Sequence, residues 1–238
     1  MNCGREDIRS SSPRTNNSFK AVFYWFARFI LRCVFFHTLR IRKLGLDAAR
    51  RPGGWVLACS HVSHLDPFCI GSQLPRRISW MARIEFYRRK WTRALLGAVH
   101  AFPVNRQGVP VSAIKTALQR LKAGEVVGVF PEGELKAAHE SVLRGAQIKR
   151  GVCLLAARAN CPVLPCIVLG TDKLNEVGPW LPARRGRIWI ACGEFIEPVV
   201  GPDKHAARAE MAAKIERALV ELYARLRQEY GLEDSILP

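Results

Sequence analysis

The chain has 238 residues, 49% of them hydrophobic, with 37 Lys+Arg against 20 Asp+Glu and a formal net charge of +17. That length supports one domain with a substantial buried core, and that hydrophobic content excludes disorder of the whole chain. The charge favours polyanionic surroundings, whether nucleic acid, anionic lipid or a phosphate-rich ligand, and says nothing of fold.

Residues 1–18 are short of large apolar side chains, carry Ser10-Ser11-Ser12 and scattered Arg, and read as a disordered basic tail. Residues 19–40 follow with a dense run of aromatics: Phe19, Phe23, Tyr24, Trp25, Phe26, Phe29, Phe35 and Phe36. Arg28 and Arg32 fall inside that run, and each Arg at a bilayer centre costs roughly 2.5–3.5 kcal/mol, so it does not read as a span. No unbroken apolar run with a small-residue cleavage site marks a signal peptide. At 100° per residue, Lys20, Arg28 and Arg32 fall within about 120° of the helical wheel. The pattern predicts a membrane-docking helix lying in the interface, basic side chains toward lipid phosphates. Packing of the same helix on the domain, with Arg28 and Arg32 at its wet edge, is the alternative.

From about Ile41 the chain alternates strand-like and helix-like segments. Residues 54–60 (GWVLACS) are an apolar run of strand length, and Asp66-Pro67 opens a helix with Asp as N-cap. Strands are expected at 77–82, 100–104, 125–130, 163–169 and 187–192, and helices at 85–98, 110–123, 149–159 and 202–230. Gly124 supplies a stop for the 110–123 helix. Met211, Ile215, Leu219, Leu222 and Leu226 form one face of the last helix. This alternation predicts an α/β domain over 41–238, a mostly parallel sheet flanked by helices, with no repeat and no second domain.

The eight cysteines include no C-x-x-C pair, and several sit in apolar runs where a free thiol acts as a small hydrophobe. A reducing, cytoplasmic compartment fits that usage. No metal or redox cofactor is implied.

The segment SHVSHLDP, Ser60 to Pro67, follows a strand and precedes a helix. His61 and Asp66 are too far apart to share one helical face, but a tight turn can fold the carboxylate onto the imidazole. That pairing fixes the tautomer and raises the basicity of the other ring nitrogen, which suits removal of a proton from a substrate hydroxyl. Metal ligation by His61, His64 and Asp66 is an alternative; Pro67 stands where the usual metallohydrolase run has another His. No G-x-S-x-G elbow is present, and Ser63 lies too close to His61 to be an obvious nucleophile. His64 reads as a polar turn residue.

SHVSHLDP resembles the first block of the lysophosphatidic acid acyltransferase (glycerophospholipid acyltransferase) family. Further blocks follow in order: WMARIEF (80–86), AFPVNR (101–106), VFPEGE (129–134), QIKRGVCLLA (147–156) and CPVLP (161–165). The resemblance implies transfer of a fatty acyl chain from acyl-CoA or acyl-carrier protein to the hydroxyl of a lysophospholipid, with 1-acylglycerol-3-phosphate as the first expected acceptor. It implies His61 as base, Asp66 as its orienting partner, and Arg83, Arg106, Glu132 and Gly133 as the acceptor and phosphate site. Together with the 19–40 helix and the cysteine usage, this predicts a protein at the cytoplasmic face of the cell membrane, peripheral or monotopic, with an anionic membrane surface as partner and no nucleic acid. Three departures stand out. Ser60 replaces a common Asn, Arg83 replaces a usual Lys, and Glu134-Leu135 replace Thr-Arg after FPEG. The last leaves another lysolipid acceptor, zwitterionic or amino-acid-based, open. A catalytically silent lipid-binding member of the fold, a thioester hydrolase and a nucleic-acid-binding protein are the readings from other classes; the last lacks a recognised binding motif.

Overall fold

The computed structural model describes residues 16–98, 100–105, 110–134, 140–172 and 186–233. Most of the expected 1–18 tail therefore lies outside the described residues. Helix α1 (Asn16–Thr38) runs straight into strand β1 (Leu39–Leu44), which the sequence reading did not separate from the segments around it. Then come β2 (Trp55–Cys59), α2 (Asp66–Gln73), β3 (Ile78–Arg83), α3 (Lys90–Ala98), β4 (Phe102–Val104), α4 (Val111–Lys122), β5 (Val126–Val129), α5 (Gly151–Ala159), β6 (Val163–Leu169), β7 (Gly186–Cys192) and α6 (Lys204–Tyr230).

The strands form one seven-stranded sheet in the order β1-β7-β6-β2-β5-β3-β4. Strands β2, β3, β4, β5 and β6 run in one direction; β7 is antiparallel to β6, and β1 is parallel to β7. The central strands are buried on both faces, which is why β2 and β6 read as unbroken apolar runs. Their side chains still alternate: Val56 and Ala58 join a core with α4, α5 and α6, while Trp55, Leu57 and Cys59 join a core under α1 and α2. The face expected of the last helix packs as read, with Tyr223 added.

Two local readings are corrected. The expected helix at 85–98 is split: Ile84–Tyr87 form a 3-10 turn before α3 begins at Lys90. Asp66 does not cap α2. Leu65 occupies that position, and the Asp66 carboxylate turns back onto the preceding loop.

Helix α1 corrects a third. Its inward face carries Tyr24, Arg28 and Phe35, all buried. Arg28, 7% exposed, donates through Nη2 to the carbonyl of Leu74, the C-cap of α2, and stacks 5.0 Å over Trp25. A helix C-terminus offers orphan carbonyls and the negative end of its dipole, so a guanidinium is held there rather than facing outward. The outward face is instead apolar: Val22, Phe23, Trp25, Phe26, Phe29, Ile30 and Phe36 are all exposed, with Arg32 among them. Among the described residues, no helix is long and apolar enough to cross a membrane.

Candidate active site

In an open α/β sheet, ligands bind outside the carboxyl ends of the parallel strands. Here those ends bring together the loop after β2 (Ser60 to Leu65), the turn after β5 (Phe130 to Glu134), the end of β6 (Gly170 and Thr171) and Arg83 at the end of β3. Ser60 anchors the first loop: its hydroxyl accepts from Val168 N at 3.1 Å and its amide donates to Cys166 O at 3.2 Å, both on β6.

Beyond that anchor the chain wraps around one carboxylate. Asp66 has a fully buried side chain, and its Oδ2 accepts from His61 Nδ1 at 3.0 Å and from the amides of Val62 and Ser63 at 2.8 Å each. Its Oδ1 accepts from Thr171 Oγ1 at 2.5 Å. A charge removed from water must be met by donors of this kind. With Nδ1 donating to the carboxylate, the lone pair of His61 is on Nε2, and the side chain is 14% exposed.

The ring of His61 is held from the side as well. It stacks on Phe130, centroids 3.9 Å apart and planes at 19°, and Phe130 in turn stacks on Trp80 at 5.0 Å. Trp80 lies over Gly128, where a Cβ would meet its ring at 2.5 Å, so the glycine in β5 is what admits the indole. His64 is exposed, its ring edge-on to His61 at 6.5 Å.

Glu132 is buried, and both oxygens are engaged by the chain itself. Oε2 accepts from the His61 amide at 2.9 Å; Oε1 accepts from Ser141 Oγ at 2.9 Å and Val142 N at 3.0 Å. It ties the loop after β2 to the turn after β5. Gly133 has φ 79°, a left-handed conformation that favours glycine, and its amide closes the turn onto Phe130 O at 2.9 Å. Arg83 is exposed and 3.6 Å from Glu85. Arg106, Leu135 and Lys136 lie outside the described residues. The structure thus gathers His61, Asp66, Glu132 and Gly133 into one cluster and sets Arg83 on the same edge of the sheet. Thr171, Ser141, Phe130 and Trp80 are contributors that the sequence reading did not single out. The family blocks contain Phe130 and Trp80, but only the three-dimensional stack gives them a role.

The arrangement offers one oriented, partly exposed imidazole at the carboxyl end of β2, with Nε2 left to accept a proton, the elements of a general base acting on a substrate hydroxyl. The sequence profile of the acyltransferase family matches residues 40–169, more than half of the chain. The 1-acyl-sn-glycerol-3-phosphate acyltransferase of Bacillus subtilis (strain 168) is 32% identical over 142 residues, which are 59% of this chain and 66% of that protein. The fold is similar to the crystal structure of the 1-acyl-sn-glycerophosphate (LPA) acyltransferase PlsC from Thermotoga maritima. The TM-score is 0.61 at 19% identity, over 85% of this chain and 79% of that one. With the His61–Asp66 pair at the carboxyl end of β2 and the family profile running from β1 through β6, the chain belongs to the acyltransferase family.

Proposed function

We propose that the protein transfers a fatty acyl chain from a thioester, acyl-CoA or acyl-carrier protein, to the hydroxyl of a lysophospholipid, with 1-acylglycerol-3-phosphate as the first acceptor. The observation that carries this reading is the buried Asp66 carboxylate holding His61 Nδ1 at 3.0 Å, with the ring pinned on Phe130. His61 Nε2 takes the proton of the acceptor hydroxyl as its oxygen attacks the thioester carbonyl. The new C–O bond forms, the tetrahedral intermediate collapses, the C–S bond breaks, and the proton passes from His61 to the departing thiolate. The Asp66 carboxylate, held against Nδ1, balances the imidazolium that exists between the two proton transfers. The substrate oxygen is the nucleophile, so the chain needs no acyl-enzyme residue.

The substrates' chemistry also gives the outward face of α1 a purpose. A two-chain lipid product does not leave a membrane readily, and a helix that turns Trp25, Phe26, Phe29 and Phe36 to the outside suits docking on the cytoplasmic face of an anionic bilayer. The cations beside it, Arg32 among them, favour lipid phosphates.

Acyl transfer from labelled acyl-CoA to a panel of lysolipids, comparing wild type with His61→Ala, tests the reading. The expected outcome is diacyl product from the wild type and a loss of about 10²–10⁴-fold in kcat in the variant, whose fold by circular dichroism is unchanged. Transfer that is absent from the wild type with every acceptor and both donors, or that persists undiminished in His61→Ala, overturns it. The panel includes zwitterionic head groups because Glu134 adds a carboxylate just beyond Gly133.

A further inference from the structure

We infer that Lys149 is a substrate-binding residue, the cation that receives a phosphate group at the turn beside His61; the inference rests on the acyltransferase reading above. The sequence reading puts Lys149 at the start of the expected 149–159 helix, within the block QIKRGVCLLA, and gives it no role. The structure places it elsewhere. Its amide donates to Pro131 O at 2.8 Å, which pins the backbone against the turn that carries Glu132 and Gly133. Its side chain then lies across Gly133: a Cβ there would meet Lys149 Nζ at 2.5 Å, Cδ at 2.7 Å and Cε at 2.9 Å. The absent side chain at 133 is therefore the groove in which the lysine stem rests. Residue 132, one step back, holds the His61 amide at 2.9 Å, and Phe130 stacks on the His61 ring. The ammonium thus sits on the same short turn that positions the candidate base.

Among the described residues the charge of Lys149 is not spent on an ion pair. Both oxygens of Glu132 are occupied by other donors, and among the described residues no carboxylate comes within ion-pair distance of Lys149. The neighbouring Arg150 is turned to His205 Nε2 of α6 at 3.0 Å, so it does not share the turn. Helix α5 starts at Gly151, two residues on, so the positive end of its dipole adds to the ammonium. A compact ammonium with three donors on a flexible stem suits a phosphate oxygen cluster. Two substrates of this reaction carry phosphate: the acceptor in its head group and CoA in its nucleotide and pyrophosphate.

Lys149→Met and Lys149→Arg, assayed with acyl-CoA, 1-acylglycerol-3-phosphate and a zwitterionic lysolipid, test the assignment. In Lys149→Met the KM of one phosphate-bearing substrate rises about tenfold, the size of a lost hydrogen bond to a charged group, and Lys149→Arg recovers most of it. The rise is in KM with kcat changed by less than about threefold, as expected when binding common to ground and transition states is removed. A rise for 1-acylglycerol-3-phosphate alone assigns the acceptor head group; a rise for acyl-CoA with every acceptor assigns the donor. Unchanged KM values for both overturn the proposal. A wild type that transfers no acyl group defeats the acyltransferase reading instead. Thermal stabilisation by sn-glycerol 3-phosphate and, separately, by CoA then decides Lys149 on its own: equal shifts in wild type and Lys149→Met with both ligands overturn the assignment, and a shift with either ligand that is lost in the variant sustains it.

Discussion

Asp66 shows how much of the candidate site depends on a carboxylate that never reaches a substrate. Its Oδ2 gathers three N–H donors from the loop after β2, and its Oδ1 relies on Thr171, 105 residues further along the chain. The His61–Asp66 pair was legible in the sequence because both partners lie in one short turn between a strand and a helix. Thr171 was not, because nothing local marks it. It comes to Asp66 only because β6 pairs with β2 in parallel register, Cys59 opposite Cys166, and both strands end at the same edge. Replacing Thr171 with Val keeps the shape and removes the only donor to Oδ1 among the described residues. The carboxylate is fully buried, so the unmet oxygen costs about 1–3 kcal/mol of stability. A loosened Asp66 also orients His61 less well, and kcat is expected to fall by about tenfold with KM little changed. Denaturant midpoints and acyl-transfer rates of Thr171→Val check both; a variant as stable and as active as the wild type removes Thr171 from the positioning network.

Elements, unlike residues, were read well in kind and less well in orientation. The apolar runs of β2, β5 and β6 announce buried parallel strands, and the helix patterns of α4 and α6 announce their inner faces. The wheel of α1 announces a helix but not which side turns inward. That depends on where α2 ends and which carbonyl it leaves for Arg28. The same limit hides a polar network at the amino-terminal ends of β3 and β5. His100, at φ 60°, donates through Nε2 to the Glu125 carboxylate at 3.1 Å, which also accepts from Ser79 Oγ at 2.9 Å; Arg120 holds the His100 carbonyl at 2.9 Å. Burial pushes His100 below its ordinary value of 6.5, the Arg120 and Arg77 charges add to that, and Glu125 opposes it. Burial raises Glu125, but hydrogen bonds from His100 and Ser79 and the charges of His100 and Arg120 outweigh it and leave the carboxyl lowered. Below pH 6.5 the unfolded chain takes up a proton that folded His100 refuses, so stability falls as pH falls. Glu125 contributes stability above its ordinary value of 4.5, lost as pH drops through its lower folded value. Between pH 7.5 and 5.5 only His100 of the two titrates. The thermal midpoint of the wild type should therefore drop across that window, and that of His100→Gln should drop less. Parallel pH profiles for the two proteins would assign the slope to other groups.

At the scale of the molecule, a formal charge of +17 and an exposed aromatic face make separable demands on the surroundings. Charge alone would suit a nucleic acid as well as a bilayer, which is why composition left both open. In the proposed reading the outward face of α1 favours the bilayer, because Phe26 at 60% and Phe29 at 61% exposure present apolar surface that lipid would cover. Each fully buried Phe side chain is worth about 1.5–3 kcal/mol, so moving both into an acyl boundary outweighs the loss of a few screened charge contacts. The two contributions respond differently to salt. Electrostatic attraction is screened over about 10 Å at 0.1 M ionic strength and over much less at higher salt, whereas apolar burial is not. Sedimentation with vesicles containing phosphatidylserine should thus weaken as salt rises from 0.1 to 0.5 M yet stay measurable. Phe26→Ser combined with Phe29→Ser should lower vesicle partitioning by at least about tenfold at both salt concentrations. Because both side chains point away from the domain, the thermal midpoint of the double variant should stay close to that of the wild type. If the double variant sediments like the wild type at high salt, α1 is not the docking element and the aromatic face has another occupant. If it loses binding only at high salt, lipid contact through these two residues is real and the basic surface alone suffices to hold the protein at low ionic strength.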